Sequence, residues 1–210
     1  MLINSENQKI LDLKKIIIDV ARQGWCPATG GNFSIKLADN IYSITASGID
    51  KNNLKPEDFL IIDSSGKVIL GDKKPSAETL LHTTLYSLDN SISAVLHVHT
   101  VANTVLSLNN NHDYLYFLGY EMQKALTGIT THEATVKLKI IENNQNMEEL
   151  ARVLIKEWKI KKLNYGFLVK GHGLYTWGNS LIEAKRHLEG IEFLLSCELQ
   201  KRTISNYMRK

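Results

Sequence analysis

The stretch "ISAVLHVHT", Ile92 to Thr100, runs an apolar segment directly into two histidines one residue apart. The apolar run predicts a buried strand. Successive strand side chains point to opposite faces, so His97 and His99 share a face and lie close enough to grip one ion. Two readings of the pair stand at this point. It is a satisfied polar pair at a strand end or a simple surface feature, or it is two ligands of a metal.

Working outward, Leu11, Ile16, Ile17, Val20 and Ala21 recur at helical spacing and Gly24 follows, which predicts a first helix over about residues 6–23. "NFSIKL", "IYSITAS" and "FLIIDSSGKVIL" read as antiparallel strands broken by turn residues. "SAETLLHTTLYSLD" predicts a helix opened by a Ser-x-Glu start, and "TVANTVLSLN" predicts another after the histidine strand. Further on come a short helix at "YEMQKAL", a helix at about 146–158 with Met147, Leu150, Val153 and Leu154 inward, strands at "YGFLVK" and "GLYTWG", and a long helix over about 180–203. The pattern implies a mixed sheet with helices on both sides, of α/β or α+β class. With 210 residues, three prolines and no repeats, one domain spanning 1–210 is expected.

The 25 basic and 22 acidic residues leave a net charge of +3, concentrated in "KEWKIKK" and in the C-terminal "QKRTISNYMRK". That excess is too weak and scattered for a nucleic-acid partner, though it tolerates an anionic metabolite. Cys26 and Cys197 have neither disulfide-framework nor C-x-x-C spacing, which points to reduced thiols in the cytoplasm. The N-terminal segment reads as an amphipathic helix and not a signal peptide, and no uncharged apolar stretch is long enough to span a bilayer, so no membrane partner is expected.

A catalytic zinc site commonly keeps three protein ligands and an open position, so a third ligand is owed if the metal reading holds. His82 within a helix, His112 and His132 in loops and His187 on the last helix look ordinary. His172 stands between Gly171 and Gly173 in "VKGHGLYTWG", either as part of a tight turn or as the missing ligand. Three loops, "PATGGNFS", "ASGIDK" and "KKPSAE", combine small residues, hydroxyls and a nearby lysine; they are plain turns or a phosphate cradle. Two carboxylates invite attention. Glu78 is either a capping-box acid or a site carboxylate, and Glu121, among the apolar neighbours of "FLGYEMQKAL", is either a first-turn helix acid or a desolvated carboxyl with a raised pKa suited to acid–base work.

Taken in order, "TGGNFS", "ITASGIDK", "KKPSAETLLHTTLY", "AVLHVHT", "YEMQKAL" and "GHGLYTWG" resemble the class II aldolase/adducin family over about residues 10–200. The resemblance implies an α/β/α three-layer fold with a mixed, largely antiparallel central sheet. It implies His97, His99 and His172 as ligands of one Zn2+, and Gly31, Asn32, Ser47, Gly48 and Ser76 as substrate-phosphate contacts. Ala77 stands where the family's aldolases have a second serine, so one hydroxyl contact is lost and the pocket differs there. "KPSAETLLHT", "LGYEM" and "GHGLY" are most similar to the family's dehydratases, which implies removal of water from a sulfur-bearing ketose 1-phosphate. Glu121 matches their acid/base and Glu78 matches the glutamate that serves the aldolases as base. Family members are usually homotetramers, and that assembly is the expected one.

Two other readings compete. A class II sugar-phosphate aldolase or epimerase would use the same metal and phosphate loops while breaking a carbon–carbon bond. An adducin-like binding module would share the fold without catalysis, but such modules have lost the metal histidines that this chain keeps.

Overall fold

Strand alternation sorts the apolar side chains onto two faces, and helices cover both. The computed structural model describes residues 4–208, so Arg209 and Lys210 of the basic C-terminal stretch lie outside the described residues. The strands are β1 (Asn32–Ala38), β2 (Ile41–Thr45), β3 (Phe59–Asp63), β4 (Val68–Leu70), β5 (Ala94–Val98), β6 (Tyr114–Phe117), β7 (Val136–Ile141), β8 (Gly166–Val169) and β9 (Gly173–Gly178). The helices are α1 (Asn4–Arg22), α2 (Thr79–Leu88), α3 (Val101–Leu108), α4 (Met147–Ile160) and α5 (Leu181–Tyr207). Among the described residues these strands form one sheet in the order β4-β3-β2-β1-β5-β9-β8-β7-β6. Only β7 and β8 pair in parallel, across the α4 crossover. The three-layer, mixed and largely antiparallel architecture is the expected one.

On one face Phe33, Ile35, Leu96, Val98, Leu168 and Leu174 pack against α1, α3 and α5 through Leu13, Ile17, Leu106, Leu188 and Ile191. On the other, Ile44, Ile62, Val95, Phe167 and Trp177 pack against α2 and α4 through Leu81, Leu85, Leu150 and Leu154. Burial of this many large side chains, each contributing about 1.5–3 kcal/mol, makes the sheet the rigid frame on which the loops at its ends are hung.

Two local outcomes differ from the sequence expectations. The segments 114–117 and 136–141 are strands that the periodicity does not predict. Val153 is turned outward, 41% exposed, because the inward stripe of α4 runs through Leu150, Ala151, Leu154 and Trp158. The short helix expected at "YEMQKAL" is present, as a 3-10 helix over Glu121–Ala125.

Helices α3 and α5, in the same layer, are tied by a buried carboxylate. Glu192 on α5 accepts from the Thr100 hydroxyl at 2.8 Å and from the Asn103 amide at 2.8 Å. Burial raises its pKa to about 7 against the opposing pull of those two hydrogen bonds. Its folded pKa thus lies above the unfolded value near 4.5, so the protonated carboxyl's contribution is fully present below about pH 4 and is lost as pH rises through 7. Replacing it with a neutral isostere, Glu192→Gln, is expected to make the variant gain about 2–3 kcal/mol relative to the wild type between pH 5 and pH 8. Urea denaturation at the two pH values measures this, and a difference that does not change with pH contradicts it.

Candidate functional site

The site grows from the end of β5. Ala94, Leu96 and Val98 point into the α1/α3/α5 core, which leaves Val95 and His97 on the opposite face. Register then sets Asn32 of β1 on one side of His97 and Tyr175 of β9 on the other. The strand stops at once because Thr100 caps α3, its hydroxyl accepting from Asn103 N at 3.1 Å while the Asn103 side chain accepts from Thr100 N. His172 arrives on the β8–β9 turn, which α3 anchors: Ser107 Oγ accepts from Gly171 N at 3.0 Å, and Thr104 donates to the His172 carbonyl at 3.3 Å. Gly171 supplies the left-handed backbone, φ +64°, that this turn requires.

His97, His99 and His172 converge, their ligand nitrogens all within 4.8 Å of one another. His97 is fully buried, and its Nδ1–H donates to the Leu174 carbonyl at 3.0 Å, so Nε2 offers its lone pair to the cluster. That Nε2 faces His99 Nε2 at 2.8 Å. Burial pushes the His97 pKa well below the usual imidazole value, and it pushes His99 down to about 4. Three imidazoles whose ring nitrogens meet at one point are the donor set that a divalent cation satisfies. The Tyr175 ring stacks on His97 at 3.9 Å and Phe167 stacks behind it at 5.0 Å, fixing the plane of the central imidazole.

Glu78 is not a capping-box acid. It sits at the N-cap of α2 without a side-chain cap bond, and its carboxylate turns instead to the histidines, 3.1 Å from His172 Nε2 and 3.5 Å from His97 Nε2. Burial opposes its ionisation, but His172, His97 and the Asn32 amide outweigh that and hold it below the ordinary carboxylate range. Asn32 donates to Glu78 and, at 3.4 Å, to Ser76 Oγ. Asn32 Oδ1 lies 2.5 Å from His82 Nε2, and His82 Nδ1 lies 2.7 Å from Ser34 Oγ, which in turn meets Tyr86 at 2.8 Å. His82 is therefore not the ordinary helical histidine expected. It is completely buried, burial lowers its pKa to about 4, and the neutral ring fixes the orientation of the Asn32 amide. The signal was its i,i+4 spacing from Glu78, which sets both on one helical face.

The three small-residue loops are joined. Ser47 N donates to the Lys74 carbonyl at 2.9 Å and Ala46 pairs with Pro75, so the segment bearing Ser47 and Gly48 lies against that bearing Ser76. Asn32 links Ser76 to the loop containing Gly31, whose φ of +79° and contact with the His97 carbonyl exclude a side chain. Glu121 stands apart. Its side chain is 71% exposed and pairs with Lys124 and, at 3.9 Å, His132, none of them members of the histidine cluster. The expected desolvation and raised pKa are corrected here: Lys124 holds the carboxyl below its ordinary value. A 3-10 turn eclipses residues three apart, which throws Glu121 and Lys124 onto the same outer side while Gln123 is buried.

At Gly173 an added Cβ would meet the Val98 carbonyl at 2.5 Å, His97 Cε1 at 2.7 Å and His99 Cδ2 at 2.8 Å. Gly173→Ala is expected to displace both imidazoles and reduce divalent-metal uptake at least roughly tenfold, with about 1–3 kcal/mol lost in stability. Equilibrium dialysis followed by elemental analysis checks this; undiminished metal in the variant contradicts it.

Comparison with known proteins agrees with this geometry. The chain is 46% identical over 200 residues to the methylthioribulose-1-phosphate dehydratase of Serratia proteamaculans, covering 95% of this chain and 98% of that protein. It is 48% identical, with the same coverage, to that of Pectobacterium atrosepticum. Among solved structures, an L-fuculose 1-phosphate aldolase superposes with a TM-score of 0.77 at 22% identity, covering 94% of this chain and 87% of the other. The L-fuculose-1-phosphate aldolase of Thermus thermophilus does so with 0.77 at 23%, covering 96% and 98%. These last two likenesses are of fold. The profile described as "Class II Aldolase and Adducin N-terminal domain" matches residues 12–199, and with the convergent histidines and the shared three-layer sheet in view, the chain belongs to the class II aldolase and adducin family.

Proposed function

We propose that this chain is a lyase that dehydrates 5-methylthioribulose 1-phosphate to 5-methylthio-2,3-dioxopentyl phosphate and water, a step of methionine salvage. The observation that carries the reading is the conjunction of 46–48% identity to dehydratases over nearly the whole chain with a three-histidine cluster abutted by a buried carboxylate. Zn2+ is the metal proposed for His97, His99 and His172, because three imidazoles with an open fourth position suit it. When bound, such a cation polarises a carbonyl and stabilises the negative charge that develops as a neighbouring proton is lost.

The protein's own groups then handle substrate and protons. The loops bearing Gly31, Asn32, Ser47, Gly48 and Ser76 bind the phosphate and so set the C2 carbonyl toward the histidines. Glu78, ionised and aimed by Asn32, is placed to hold or move a proton beside them. Loss of the C3 proton and departure of the C4 hydroxyl as water leave an enol, which ketonises to the diketone. Glu121 is the acid/base proposed for the C3 proton and the leaving hydroxyl. Its exposure suits delivery to the site of a neighbouring copy in a homotetramer. Among the described residues no helix is long and apolar enough to cross a membrane, and we assign the enzyme to the cytoplasm.

A proton NMR time course of the zinc-loaded protein with 5-methylthioribulose 1-phosphate is expected to show the C4 methylene of the diketone. Glu121→Gln should slow its appearance by roughly 10²- to 10⁴-fold. Mixed assembly of Glu121→Gln with His97→Ala chains, each inactive alone, should restore part of the rate if Glu121 acts across an interface. An aldehyde with a ketose phosphate as products would establish an aldolase instead, and a fully active Glu121→Gln protein would remove that residue from the mechanism.

A further inference from the structure

Lys51 is a buried cation without a counter-ion. It is 2% exposed, and among the described residues no carboxylate forms an ion pair with it. Its Nζ donates to the Thr29 carbonyl at 2.8 Å and to the Ile49 carbonyl at 3.1 Å, which accounts for two of the ammonium's three protons. The nearby Cys26 thiol does not supply the missing charge, since burial pushes its pKa up to about 11 despite Lys51. Burial likewise pulls the Lys51 pKa down, against a smaller opposing pull from Asp50 and Asp58. An unpaired charge in such a position is costly, and a fold retains it where something supplies the opposite sign.

Its location says what that is. Thr29 belongs to the loop that ends in Gly31 and Asn32, and Ile49 follows Ser47 and Gly48, so Lys51 bridges two of the three joined loops. Ala28 and Thr29 hold left-handed backbone, φ 49° and 66°, a region unfavourable to residues with a Cβ. The bond from Lys51 to the Thr29 carbonyl helps fix that conformation. Gly30, next to Thr29, lies so close to the His99 ring that an added Cβ would meet its Nδ1 at 2.8 Å. The loop that Lys51 holds therefore borders the histidine cluster.

We infer that Lys51 is the resident counter-charge for the substrate's phosphate: it locks two loops in their binding conformation and leaves its positive charge unpaired until a phosphate monoester dianion enters. The inference rests on the sugar-phosphate reading above and adds a residue and a role to it. A charged hydrogen-bonding partner of this kind changes affinity on the order of 10- to 100-fold.

The discriminating variant is Lys51→Gln, whose side-chain amide has two N–H donors for the same two carbonyls but no charge. With zinc-loaded protein, inorganic phosphate should raise the melting temperature of the wild type and inhibit it competitively. In Lys51→Gln both effects should weaken on the order of 10- to 100-fold, with the loss on substrate carried by KM, while zinc content and melting in phosphate-free buffer stay near wild type. A purely structural clamp would instead lower the phosphate-free melting temperature and leave phosphate affinity unchanged. Lys51→Met serves as the second variant should Lys51→Gln not fold. Undiminished phosphate response in either folded variant, or none in the wild type, overturns the inference. Because the phosphate readout needs no turnover, failure to dehydrate with phosphate binding intact would count against the proposed reaction alone.

Discussion

The period of two along β5 is the constraint on which the rest depends. A strand that must bury Ala94, Leu96 and Val98 under α1, α3 and α5 has no choice but to send His97 to the other face, and the same parity carries His99 there. The groups flanking His97 within the sheet are reached by continuing that logic sideways, while His172 comes from the β8–β9 turn and Glu78 from the start of α2. Asn32, His97, Tyr175 and Phe167 are successive cross-strand neighbours on β1, β5, β9 and β8. The polar members face the site and the aromatic members brace it.

The site is thus stiff where ligands must meet and joined by short polar links elsewhere. A buried chain of hydrogen bonds runs from Tyr86 through Ser34, His82 and Asn32 to Glu78, with each group's orientation set by the next. Such a chain places the Glu78 carboxylate against the histidines without exposing it, which keeps it ionised yet poorly solvated. Pre-set dipoles and charges of this kind stabilise developing charge without reorganising at the moment of reaction. The loops bearing Gly31, Ser47 and Ser76 are joined to the same frame through Asn32 and the Ala46–Pro75 pairing.

What could be read from the sequence was what is local. The His97 and His99 pair, the glycine-flanked His172 and the layered architecture follow from period, spacing and family motifs. What could not be read depends on tertiary neighbours. His82 looks like any helical histidine until α2 is laid beside β1, where Asn32 and Ser34 meet both of its ring nitrogens. The strands at 114–117 and 136–141 are short, and the second places Lys137 and Lys139 on one face, so their pattern is weak without the sheet edge they complete. Glu121 misled for a different reason: apolar neighbours in sequence do not desolvate a carboxyl when a 3-10 turn points it away from them. Burial is a property of the fold, and sequence proximity to Tyr120 and Met122 does not stand in for it.

The central claim is that three imidazoles gather one divalent cation and leave room for substrate. A zinc K-edge X-ray absorption spectrum of the zinc-loaded protein, recorded with and without the ketose phosphate, tests it most directly. The expected spectrum has the multiple-scattering signature of three imidazoles with no sulfur, and a change confined to oxygen ligands when substrate is added. A sulfur ligand from Cys26 or Cys197, or fewer than three imidazoles, would contradict it.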